Sequence, residues 1–156
     1  MANHMILTQI LQPACVKAPL EGSDKDTVIT ELVDLLAENG FLLDRDVVLE
    51  AVLLREQTRS TGIGSGIAIP HGKCNGVKEL VMAIGITGEP IEFESIDKRP
   101  VKIVVLLASP SDRTGPHIQA LARISRLMLD ETFKARLENA ASPEEVYELI
   151  RSKEHE

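Results

Sequence analysis

Two histidines in this chain stand where a partner could reach them. His71 closes the run Ile67-Ala68-Ile69-Pro70-His71-Gly72, which a glycine-rich stretch from Ser60 feeds. Pro70 fixes its own φ and has no N–H to give a ladder, so the spacing predicts a strand that stops there, with His71 at a rigid strand end. Gly72 has no side chain to obstruct the ring. His117 follows Gly115-Pro116, and proline suits the first turn of a helix. The second imidazole is therefore predicted at a helix start, where unpaired N–H groups and the helix dipole favour an anion. Arg55 lies shortly before the glycine stretch, and Gly62, Gly64 and Gly66 could bring further backbone donors close to a phosphate or carboxylate. A nucleophilic or proton-transferring imidazole, a second imidazole, a guanidinium and helix-end amides make a phosphoryl-handling set.

Each part taken singly has a plainer reading. A histidine at a strand end can be a satisfied structural residue, Arg55 a solvated helix residue, and the glycine stretch a turn. That stretch is not a nucleotide phosphate loop, because Lys73 follows the histidine and no Ser or Thr comes next. His71 and Cys74 have a ligating spacing but no second pair completes a site, so zinc is not expected. Cys15 reads as a buried small residue, and His4 and His155 as solvated residues near the ends.

The elements around these residues follow from pattern. Val16, Ala18 and Leu20 alternate as a first strand. Ser23 is read as the cap of a helix carrying Val28, Leu32, Leu35 and Leu36, which Asn39-Gly40 closes. Asp44 or Asp46 caps a second helix with Val47, Val48, Ala51 and Leu54 on one side, running out between Arg55 and Arg59. Three strands follow, at Ile67–Ile69, Glu79–Ile86 and Val101–Ala108. Gly88-Glu89-Pro90 and Asp97–Pro100 read as turns, with an extra strand piece at Ile91–Phe93. Helices then start near Pro116, at Asp130 and at Ser142-Pro143, where a capping box opens the last one. The order β-α-α-β-β-β-α-α-α implies an α/β fold, a mixed sheet covered on both faces.

A chain of 156 residues suits one domain with one core. With 44% hydrophobic and 3% aromatic residues, that core must be built from Leu, Ile, Val and Ala. The net charge of −7, scattered basic residues and lack of stacking platforms argue against a nucleic-acid partner. No run is long enough to span a membrane and no signal peptide is evident, so a cytoplasmic protein is expected.

Together, Glu56, Ile63-Gly64 and Ile67-Ala68-Ile69-Pro70-His71-Gly72 resemble the signature of the mannitol/fructose-type enzyme IIA domains of the bacterial phosphoenolpyruvate-dependent phosphotransferase system. The likeness runs from about Ile6 to Ile150, which places a single domain over residues 5–152, and it implies a three-layer α/β/α sandwich. It also implies that His71 is the phosphoacceptor, on its tele nitrogen Nε2, with Arg55 and His117 stabilising the phosphoryl group. The donor would be a phosphohistidine carrier protein of the HPr/NPr type, and the recipient a permease domain or a regulatory target. The loop Thr61–Lys73 is most similar to that of the nitrogen-regulatory subgroup, and the chain reads as free-standing. The tautomer of His71 must be fixed for attack, and a backbone carbonyl in the loop after it is the expected partner. Ile63, Ile67 and Ile69 are candidates for an apolar rim or for core.

Overall fold

A computed structural model describes residues 6–155. His4, and Met5 at the expected domain start, lie outside the described residues. After a 3-10 turn at Leu7–Gln9 come β1 (Leu11–Leu20), α1 (Lys25–Glu38) and α2 (Arg45–Thr58). Three short strands follow, β2 (Gly62–Gly64), β3 (Ile67–Ala68) and β4 (His71–Lys73), then the long β5 (Val81–Ile91) and β6 (Val101–Ser109). Helices α3 (Thr114–Leu127), α4 (Glu131–Glu138) and α5 (Pro143–Glu154) complete the chain.

The sheet runs β1-β5-β6-β3-β2, with β4 also on β6. β1 is parallel to β5, β5 antiparallel to β6, and β3 and β4 parallel to β6. This is the expected mixed sheet of a three-layer α/β/α fold. β6 is its centre, and every residue of it except Lys102 is buried, the near-continuous apolar run of a strand covered on both faces. α1 packs on β1, β5 and α2, while α5 packs on β1 and α4 on β5 and β6.

Several local expectations need correction. α1 is capped by Asp24, not Ser23: the Asp24 carboxylate accepts from Thr27 N at 2.9 Å. One position further on, an extended backbone (φ −138°) aims that side chain at the first turn. In α2 the buried face is Val48, Val52 and Glu56, spaced by fours, while Val47 and Leu54 are exposed. A buried glutamate on that face hid the true stripe. In α3, where Ile118, Leu121, Ile124, Ser125 and the C-cap Met128 recur at helical spacing, the buried residues are His117, Ala120, Ile124 and Leu127, and Ile118 is exposed. β5 runs through Gly88-Glu89-Pro90 to Ile91, absorbing those turn residues in a register shift between Ile86 and Ile91.

Candidate functional site

Where a single short strand was expected at Ile67–Ile69, the chain makes a hairpin and then a broken strand. β2 and β3 pair antiparallel around Gly64-Ser65-Gly66, whose φ values of +97°, +58° and +82° all lie in the left-handed region. This tip is not an anion cradle beside His71. Its Ser65 N–H is taken by Asp97 Oδ2 at 2.9 Å and its Ser65 carbonyl by Lys134 Nζ at 3.0 Å. Of the three glycines only Gly62 lines the cleft that holds His71.

His71 does not end a strand; it restarts one. Ile67 pairs with Ile103 and His71 with Leu107, so the register is the same on both sides of Pro70. Pro70 interrupts the ladder only by lacking an N–H, while its carbonyl still accepts from Leu107 N at 3.0 Å. Alternation along β4 then sets where each side chain goes. A Cβ on Gly72 would lie 3.1 Å from Val52 N and 3.2 Å from Ala51 C, so Gly72 faces the backbone of α2. His71 and Lys73 therefore share the opposite face. Lys73 Nζ donates to Thr114 Oγ1 at 3.3 Å, which ties β4 to the first turn of α3.

The His71 ring has a fixed tautomer. Its Nδ1 lies 2.7 Å from the carbonyl oxygen of Ile69. A carbonyl can only accept, so Nδ1 carries the hydrogen and Nε2 keeps its lone pair. The carbonyl comes from two residues before the histidine, across the proline break, not from the loop after it as expected. Burial, first, and the nearby Arg55 and Lys73 charges push the His71 pKa below its ordinary value, against the Ile69 hydrogen bond and Glu56. The ring is neutral at pH 7.

His117 is the fourth residue of α3, where its N–H makes a helical bond to Arg113 O at 3.2 Å. Its ring centroid is 5.3 Å from that of His71, with 63° between the planes. Its Nδ1 is 2.7 Å from Ser109 Oγ, and burial, before the charges on His71 and Lys73, pushes its pKa down to about 4. No side chain caps the helix at Arg113.

Arg55 and His71 line one open cleft of ≈ 340 Å³, with Thr61, Gly62, Ile63 and Ile96 among its other walls. Arg55 Nη1 donates to Arg59 O at 2.8 Å, which holds the guanidinium against the end of its own helix. His117 is not a lining residue; it meets the site through the His71 ring. Ile63 and Ile96 are exposed apolar walls, Ile69 is a buried one, and Ile67 belongs to the core. Glu56, four per cent exposed, holds Thr61 N at 3.0 Å and Thr61 Oγ1, and lies 3.5 Å from Lys25 Nζ. That network fixes the end of α2 to the start of the hairpin.

Two residues at this site, Lys73 and Ser109, were not picked out by the sequence reading. Lys73 figured there only as an argument against a nucleotide loop. Its position two after His71 was the available signal, since residues i and i+2 of a strand share a face. Among the described residues no cluster of three or more His, Cys, Asp or Glu side chains could hold a metal. No described helix is long and apolar enough to cross a membrane.

The mixed sheet covered by helices is also the fold of known proteins to which the chain is similar. The profile of the phosphoenolpyruvate-dependent sugar phosphotransferase system EIIA 2 family matches residues 9–153, and the chain belongs to that family. It is 36% identical over 147 residues to a nitrogen regulatory protein of Klebsiella oxytoca, covering 92% of this chain and 89% of that one. It is also 36% identical over 146 residues to the fructose-specific EIIABC component of Bacillus subtilis, covering 94% of this chain but only 23% of that protein's length. The crystal structure of the nitrogen regulatory protein IIA-Ntr from Neisseria meningitidis superposes with a TM-score of 0.80 at 29% identity, over 91% of this chain and 97% of the other.

Proposed function

We propose that this chain is a cytoplasmic phosphoryl carrier in which Nε2 of His71 takes a phosphoryl group from a phosphohistidine on an HPr/NPr-type carrier protein. The observation that carries the reading is the His71–Ile69 hydrogen bond, which leaves a neutral ring with its free lone pair on Nε2. That lone pair attacks phosphorus while the bond to the donor's nitrogen breaks, and the donor nitrogen keeps the electron pair. One imidazole replaces another, so no metal or cofactor has to supply the nucleophile. Charge spreads over the equatorial oxygens of the transferring group. Arg55 has N–H groups beyond the one given to Arg59, His117 meets the His71 ring edge-on and Lys73 shares the His71 face of β4, so all three are assigned to stabilising that charge.

A carrier must also keep its intermediate from water. Among the described residues no carboxylate lines the cleft, and the nearby Glu56 is occupied by Thr61 and Lys25. Water therefore has no general base in the cleft, and the exposed Ile63 and Ile96 give a docked protein an apolar surface to seal against.

The regulatory, nitrogen-type role is favoured over sugar transport by the loop Thr61–Lys73 and by nitrogen regulatory relatives that align over nearly their full length. In that role, the charge added at His71 would switch docking onto target proteins. Sugar-specific relatives of equal identity keep the transport reading alive as the second one. Incubation with phosphoenolpyruvate, the first enzyme of the system and its carrier protein is expected to label the chain in acid-labile form. Onward transfer to an EIIB domain would select the transport reading. A chain that stays unlabelled contradicts both.

A further inference from the structure

We propose that Ser109 is a positioning residue that holds His117 as a neutral hydrogen-bond donor, through Nε2–H, toward the phosphoryl group on His71. This rests on the phosphoacceptor reading above for its consequence, though not for its geometry. Ser109 is the last residue of β6 and fully buried, and it stands opposite Lys73 in the ladder. Among the described contacts its Oγ has one side-chain partner, Nδ1 of His117 at 2.7 Å, and no other.

The direction of that bond follows from satisfying the hydroxyl. A buried O–H that finds no acceptor carries the full desolvation penalty of the group. If Nδ1–H donated to Ser109 Oγ, the serine hydrogen would be left without an acceptor. If Ser109 donates, Nδ1 is the acceptor and both groups are satisfied. His117, neutral because it is buried, must then carry its one hydrogen on Nε2.

The two histidines are thus held in opposite tautomers by two kinds of partner. A carbonyl takes the Nδ1 hydrogen of His71 and exposes a lone pair; a hydroxyl fills the Nδ1 lone pair of His117 and leaves a hydrogen on Nε2. Lone pair and hydrogen are the complementary halves needed by an incoming phosphoryl group, one to form the bond and one to stabilise its oxygens. Ser109 makes and breaks no covalent bond; it fixes which nitrogen of its neighbour donates.

Nitrogen-15 NMR of the unphosphorylated protein tests the assignment without any transfer. His117 is expected to show a protonated Nε2 and an unprotonated Nδ1, the reverse of His71. In Ser109→Ala that pattern should change for His117 and stay for His71, with phosphoryl acceptance slowed by roughly tenfold, the rate equivalent of one hydrogen bond. Ser109→Thr, which keeps the hydroxyl, should restore both. A wild-type His117 protonated on Nδ1 overturns the proposal, as does a folded Ser109→Ala that accepts phosphoryl at the wild-type rate. Should the wild-type protein never label, the phosphoacceptor reading fails, and the tautomer assignment is then decided by the nitrogen spectrum alone.

Discussion

His71 donates from Nδ1 to the carbonyl of Ile69, 2.7 Å away and two residues earlier on the same broken strand. Pro70 between them is what makes the bond local. It cannot donate to the ladder through its own nitrogen, and across this break the histidine ring meets its own upstream carbonyl. The His71 ring and the carbonyl that orients it are therefore one local unit.

Because His71 is held below the ordinary histidine pKa, its Nε2 stays free across neutral pH. The rate of phosphoryl acceptance should be flat from about pH 8 down to about 6.5, the ordinary histidine value, and fall only below that. A rate profile with its inflection above pH 7 would show that the ring is not desolvated as described.

Gly72→Ala should disturb the site from behind. The new Cβ would meet backbone atoms of Val52 and Ala51 at 3.1–3.2 Å, and backbone cannot swing aside as a side chain can. We expect a loss of about 1–2 kcal/mol in urea denaturation. Transfer should slow as well, since α2 carries Arg55.

Arg55→Ala should reduce phosphoryl acceptance by ~10²-fold, the effect of losing one charge-stabilising donor. Lys73→Ala should also slow it, with the fold and urea midpoint little changed, because Lys73 Nζ makes only an exposed bond to Thr114. Stopped-flow transfer from the phosphorylated carrier reads both. An unchanged rate in either variant would remove that residue from the transferring set.

His117 should make the protein acid-sensitive. The unfolded chain protonates it near pH 6.5, whereas the folded chain does so only near 4. Between those values the unfolded state binds more protons, so stability falls as pH falls, by up to about 3 kcal/mol once below both. Stability measured against pH should be flatter over this window in His117→Ala than in the wild type. Parallel curves would mean that His117 is not buried neutral.

Much of this architecture was readable from local chemistry. Asp130 and Ser142 cap the helices they were expected to open, and of the two candidates Asp44 and Asp46 it is Asp44 that caps the second, with Asp44 accepting from Val47 N, Asp130 from Phe133 N and Ser142 from Glu145 N. The apolar run of β6 read correctly because a doubly covered strand needs no alternation. What failed depended on partners distant in sequence. Glu56 is a charged residue on the buried face of α2, and only its neighbours Thr61 and Lys25 explain why it can be there. The strand break at Pro70 looked like an end because the matching strand, β6, lies more than thirty residues downstream, and only its unbroken register reveals a continuation. At the site, His71, Arg55 and the helix start at His117 were legible from residue type and spacing. Ser109 was not, since a serine closing an apolar strand gives no sign that a histidine eight residues later will turn back onto it.

In the proposed function phosphorus bonds to one atom, Nε2 of His71. Nitrogen-15 and phosphorus-31 NMR of the chain phosphorylated through its carrier protein reads that atom directly. A single phosphohistidine is expected, with phosphorus coupled to Nε2 of His71, Nδ1 still protonated against Ile69, and no label in His71→Ala. Phosphorus on Nδ1 of His71, on His117, or retained in His71→Ala would contradict it.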